Sequence, residues 1–223
     1  MKAAVVGTKT GKRVPRAVRE QQMLDAAVAG FARHGYSAAS MDDIAEAAGV
    51  SKPLVYQYLK SKEDLFTACI ERESAALIAA VRAGTLSGGG AVPADRMLWN
   101  GLCAFFAHTA AHPDGWAVLH QQARSQGQPF ADGVALLRAE IAELVTELIG
   151  VAARDAGCDG VLAEREVSGL AHALVGAAES LADWANTREQ DPPSAKETAA
   201  TLMNFCWAGL ENLLGGDRWT PAH

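Results

Sequence analysis

In the stretch SMDDIAEAAGVSKPLVYQYLKSKEDL, residues 40–65, the side chains able to meet a polyanion gather at three helix starts and on one short face. Lys52 can contact a guanine edge or a phosphate, and Gln57 can pair with adenine or bond a phosphate. Tyr56 can donate its hydroxyl to a phosphate. Pro53 and Leu54 offer apolar contact to a thymine methyl. Ser40, Ser51 and Lys62 stand where helices begin, and there backbone N–H groups and the helix dipole favour anions.

Other constellations point elsewhere. His120 and Arg124 share a helix face at i, i+4, a polar pair suited to an anionic or carbonyl-bearing ligand. Trp99, Cys103, Phe106 and Trp116 complete a set of pocket candidates, although an aromatic core beside a solvated arginine has the same pattern. His108 and His112 have chelate spacing. His112 precedes Pro113 at a helix end, with no carboxylate or cysteine close in sequence, so both read as ordinary histidines and no metal or other cofactor is expected. Gly88, Gly89 and Gly90 lack the preceding strand and following Lys-Ser/Thr of a phosphate loop. No Ser–His–Asp set, carboxylate pair or metal constellation stands out, so no enzyme is expected.

The elements that must position these residues are helical. Apolar content is 49%, mostly Ala, Leu and Val, a mix that favours helices over sheets. A helix over 16–34 carries Met23, Leu24, Ala27, Val28 and Phe31 at helical spacing, with Gly35 at its end. Ser40 caps a short helix with Asp43 three residues on, as in a capping box. Ser51 opens the next, over 52–58, with Pro53 in its first turn, and Ser61 opens a long one that ends near Gly84. Beyond the loop AGTLSGGGAVPAD, helices are expected over about 94–111, 113–126, 130–156, 163–188 and 195–214. The two short helices joined by Gly49-Val50-Ser51 form a helix–turn–helix, whose second helix lies in the major groove of DNA; a structural hairpin with surface lysines is the alternative.

Charge is divided along the chain. The net is −6, yet residues 1–66 carry 10 Lys+Arg against 7 Asp+Glu, and the remainder 10 against 19. The first 19 residues hold Lys2, Lys9, Lys12, Arg13, Arg16 and Arg19 with no acid, and 1–15 read as a disordered basic arm. The four cysteines form no CxxC pair and read as reduced packing thiols. No apolar run spans a membrane and no export signal precedes the first helix, so a cytoplasmic protein without membrane contact is expected.

The segment GYSAASMDDIAEAAGVSKPLVYQYLKSKEDL resembles the DNA-binding region of TetR-family transcriptional regulators. The matching residues are Gly35-Tyr36, Ser40, Asp43-Ile44-Ala45, Ala48-Gly49-Val50-Ser51, Leu54, Tyr56, Tyr58 and Ser61-Lys62-Glu63. Ser40 stands where the family often has Thr, Leu59 where it often has Phe, and Pro53 where Gly is common. The resemblance implies an all-α homodimer of about nine helices: a DNA-binding domain over 16–60 and a ligand-binding and dimerisation domain over 61–223. It implies double-stranded operator DNA and a small-molecule ligand as partners, a two-fold operator, and repression released by a hydrophobic or amphipathic ligand. Control by a protein partner is the alternative. The intersubunit bundle that the resemblance implies is matched by three-four stripes on the last two long helices, Leu170, Leu174, Ala177, Leu181 and Trp184 in one and Leu202, Phe205 and Leu213 in the other; stripes that face only the protomer's own core are the alternative.

Overall fold

The computed structural model of the chain describes residues 15–87, 92–155 and 164–214, and every regular element among them is helical. The helices are α1 (Arg16–Ala38), α2 (Met41–Ala47), α3 (Lys52–Tyr58), α4 (Lys62–Thr85) and α5 (Ala94–Ala111). Then come α6, α7 (Phe130–Asp155), α8 (Glu164–Asn186) and α9 (Ala195–Leu214). α6 is composite: Pro113–Ala117, a π-helical Val118–Gln122, and Ala123–Ser125. The arm up to Val14, the glycines at 88–90 and Cys158 lie outside the described residues.

Local chemistry explains where the short helices start. The Ser40 hydroxyl accepts from the Asp42 and Asp43 N–H groups at 3.2 and 3.5 Å, and the Ser61 hydroxyl accepts from Asp64 N–H at 3.0 Å. Each hydroxyl satisfies donors that the first helical turn leaves open. Ser51 occupies the same position before α3 but makes no side-chain cap bond. Gly49 turns the chain between α2 and α3 at φ +66°, in the left-handed region that favours glycine.

α1 differs from the expected span. The helix breaks at Gly35, where φ is +75°, but winds through one further turn to Ala38. That extra turn presents Tyr36 to an aromatic cluster. Phe31 and Phe66 rings meet at 4.8 Å, Phe66 and Phe130 at 4.8 Å, and Tyr36 and Phe130 at 5.0 Å. Ring pairs of this geometry add about 0.5–1.5 kcal/mol each beyond area burial. The cluster ties α1 to the first turns of α4 and α7, so the helix–turn–helix unit is joined to the rest by packing as well as by chain.

α4 is the central strut, packed against α1 at one end and along α5 and α7. Leu65, Phe66, Cys69, Ile70, Leu77 and Val81 face inward from it. Burial pushes the Cys69 thiol up to about 12, consistent with a packing role. Arg72 of α4 reaches Asp25 of α1 at 2.7 Å and also holds its neighbour Glu73, which is buried. No helix among the described residues is long and apolar enough to cross a membrane.

Candidate functional site

The outward face of α3 holds most of the residues expected to read DNA. Val55 is fully buried, in the core that also holds Ile44 and Ala45 of α2. Ser51, Lys52, Pro53, Tyr56 and Gln57 are exposed, and Leu54 is half-buried. Seven residues are too few for a stable isolated helix, so α3 takes its shape from what lies beneath it. Tyr56 is 41% exposed, a large value for an aromatic residue.

Two of the cations expected to meet DNA are already engaged. Lys52 Nζ lies 2.8 Å from Asp42 Oδ2, and the hydrogen bond to that carboxylate raises the lysine pKa. Lys62 Nζ donates to the Ser37 carbonyl at 3.0 Å and sits 5.0 Å from the centre of the Tyr36 ring. Arg16, unassigned from sequence beyond its charge, stacks over Tyr58 at 4.8 Å. Lys62 thus ties the last turn of α1 to the start of α4, while Lys52 keeps its charge at the edge of α3. A helix of these dimensions with an exposed polar and cationic face suits the major groove.

A second feature lies in the helical body. α4, α5, α7 and α8 line an apolar cavity that opens in part to solvent. Leu77, Val81 and Thr85 wall it from α4, and Leu98, Leu102 and Phe105 from α5. Leu137, Ile141 and Val145 face it from α7, and Leu174, Val175 and Ala178 from α8. Among these walls stand one cation and one anion, Arg138 and Glu179, with Arg138 Nε 2.7 Å from Glu179 Oε1.

Of the six pocket candidates from sequence, Trp116 lines this cavity. Phe106 is buried in the core, and Trp99 and Cys103 pack half-buried against that core, outside the cavity walls. His120 and Arg124 lie beside the cavity rather than in its wall. His120 stacks on Trp116 at 4.9 Å, Arg124 Nη1 meets His120 Nε2 at 3.2 Å, and Arg124 stands 3.7 Å from Glu179. Burial holds His120 below the usual histidine range, and the nearby Asp183 and Glu179 act against that shift. His108 and His112 rings meet at 4.6 Å, and no group of three or more metal-ligating side chains occurs among the described residues.

Arg138 and Glu179 were not among the sequence candidates. A signal existed in each helix: Arg138 precedes Ile141 and Val145 on the buried stripe of α7, and Glu179 lies between Val175 and Ala182 on that of α8. Nothing in a single sequence pairs the two across 41 residues.

The expected interface residues divide. Leu174 and Leu202 are buried in the protomer's own core. Leu170, Ala177, Leu181 and Leu213 are half-buried, while Trp184 and Phe205 are 48% and 77% exposed. Leu170, Phe205, Cys206, Gly209 and Leu213 border an apolar groove between α8 and α9.

Two family models match the chain. The model for bacterial regulatory proteins of the tetR family covers residues 23–69, and the tetracyclin repressor-like C-terminal domain covers residues 94–209. The HTH-type transcriptional activator FasR of Mycolicibacterium smegmatis is 30% identical over 208 residues, 93% of this chain and 90% of that protein. A TetR-like transcriptional regulator from Rhodococcus sp. RHA1 superposes with a TM-score of 0.74 at 35% identity, over 89% of this chain and 99% of that one. The regulator FadR from Bacillus subtilis, solved in complex with stearoyl-CoA, superposes with a TM-score of 0.70 over 89% of this chain and 99% of its own. Identity there is 17%, so that likeness is one of fold.

Proposed function

Because this chain belongs to the TetR family and is a DNA-binding transcriptional regulator, we propose that a small apolar or amphipathic ligand sets its hold on a roughly palindromic operator. The observation that carries this reading is the apolar cavity between α4, α5, α7 and α8. Apolar walls that do not close on one another leave wall atoms short of dispersion partners, a cost that an apolar occupant removes. A regulator governed by protein contact alone gains nothing from it. The stearoyl-CoA held by FadR, a neighbour in fold, supports a ligand with a long apolar chain.

On this reading the labour divides between two units. Residues 16–60 form the DNA-binding unit and 61–223 the ligand-binding and dimerisation unit, with 1–15 as a basic arm that adds salt-dependent affinity. α4 joins the two: its capped start follows α3 across residues 59–61 and packs on α1, and Leu77, Val81 and Thr85 wall the cavity further along it. A ligand that displaces this wall moves the start of α4, and α3 with it. Two copies paired through α8 and α9 present two α3 helices to successive major grooves.

Repression by the free dimer, relieved by ligand, is the reading we favour. The name of the M. smegmatis relative supports a second one, in which the bound dimer activates transcription. The same change in occupancy produces either sign, according to where the operator lies relative to the promoter.

Native and denaturing mass spectrometry of the purified protein tests the reading. We expect a dimer carrying a small organic mass that is lost on denaturation. A bare dimer that also takes up no acyl-chain probe would overturn ligand control, and a monomer would overturn the two-fold arrangement.

A further inference from the structure

The cavity is apolar except at one point, and that point specifies the other half of the ligand. Arg138 and Glu179 both line the cavity and bind each other through Arg138 Nε at 2.7 Å. Among the described residues Arg138 donates to no other group, which leaves the terminal nitrogens of its guanidinium for an incoming acceptor. Glu179 has a second cation beside it, Arg124 at 3.7 Å. Trp116, in the same wall, has a buried indole N–H with no acceptor. A buried donor left unpaired is costly, and an acceptor-bearing occupant removes that cost.

Resting on the ligand-controlled function proposed for this cavity, we propose that Arg138 is a specificity residue that reads an oxygen-acceptor head, a carboxylate or acyl carbonyl, on a ligand whose chain fills the apolar remainder of the cavity. The guanidinium fork matches such a head in geometry and charge. Taking Arg138 from Glu179 does not strand the carboxylate, because Arg124 already stands within reach of it. The Arg124 Nη1 contact with His120, which stacks on Trp116, keeps that second cation in place. An ammonium head has no acceptor for Arg138, and the one carboxylate in the wall, Glu179, is already held by Arg138 and flanked by Arg124.

Calorimetric titration with three twelve-carbon probes tests this: dodecanoate, methyl dodecanoate and dodecyltrimethylammonium. We expect the wild-type protein to bind at least one acyl probe about tenfold more tightly than the ammonium, and Arg138→Met to reduce that preference to within about twofold. Arg138→Lys, which keeps the charge but loses the fork, is expected to retain part of it. An unchanged thermal midpoint confirms that the variants fold. Equal binding of all three probes by the wild type, or a preference that survives Arg138→Met, overturns the assignment while leaving an apolar ligand site intact. Failure of every probe to bind overturns both the assignment and the ligand reading beneath it. The ratio of the two acyl affinities tells an anionic head from a neutral one.

Discussion

Lys52 is bound to Asp42 at 2.8 Å before any DNA arrives, so docking exchanges a carboxylate for a phosphate or a base edge. Lys52→Ala is therefore expected to weaken operator binding about tenfold and, if the contact is to phosphate, to reduce the salt slope by about one. Asp42→Asn, which frees the lysine and removes a repelling charge, should tighten binding. Fluorescence anisotropy on a duplex selected from a random pool measures both, and an unchanged affinity in Lys52→Ala removes that residue from the interface. The half-buried rings of His108 and His120 set a pH dependence. Burial holds both below the usual histidine range, so the folded protein favours their neutral forms. As pH falls below about 6.5 the unfolded chain takes up protons first, and stability drops. Urea midpoints at pH 7.5 and 5.5 should differ in that direction, and His120→Gln should shrink the difference.

At the scale of elements, the caps make a paired test. Ser40 bonds two backbone N–H groups and Ser51 bonds none. Ser40→Ala should cost about 1 kcal/mol in urea unfolding, and Ser51→Ala less than about 0.5. Equal costs would contradict the capping geometry. Most of this architecture was legible in the sequence, because capping serines, Gly49 and the apolar stripes are local signals with fixed spacing. The exceptions have non-local causes. The turn after Gly35 continues to Ala38, where Tyr36 packs on Phe66 and Phe130, residues 30 and 94 positions away. The π turn at Val118–Gln122 has no composition signal at all. The polar contents of the cavity were half legible. His120 and Arg124 were visible as an i, i+4 pair, but Arg138 and Glu179 meet only when α7 lies against α8. Trp116 was read from its type. Phe105, one residue from the candidate Phe106, lines the cavity instead, because a single step along a helix rotates a side chain by about a quarter turn.

For the whole molecule, the proposed dimer seats a second copy on the apolar faces of α8 and α9. Phe205 is the most exposed large apolar side chain described, and Trp184 is likewise exposed on α8. Phe205→Glu should shift the native mass from dimer towards monomer and, with it, weaken binding to a two-fold duplex about a hundredfold while leaving helix content unchanged. A variant that stays dimeric and binds normally would place the interface elsewhere. The charge division between residues 1–66 and the remainder fits the same picture, with the DNA-facing end cationic and the body anionic.

Control of operator binding through the cavity is tested most directly by one titration. Operator affinity should be measured by anisotropy across an acyl series from eight to eighteen carbons at fixed salt. At least one chain length is expected to shift the dissociation constant about tenfold or more, as coupling between a filled cavity and α3 requires. An affinity that stays constant at every chain length would contradict ligand control, and with it the role of α4 as the link between cavity and DNA.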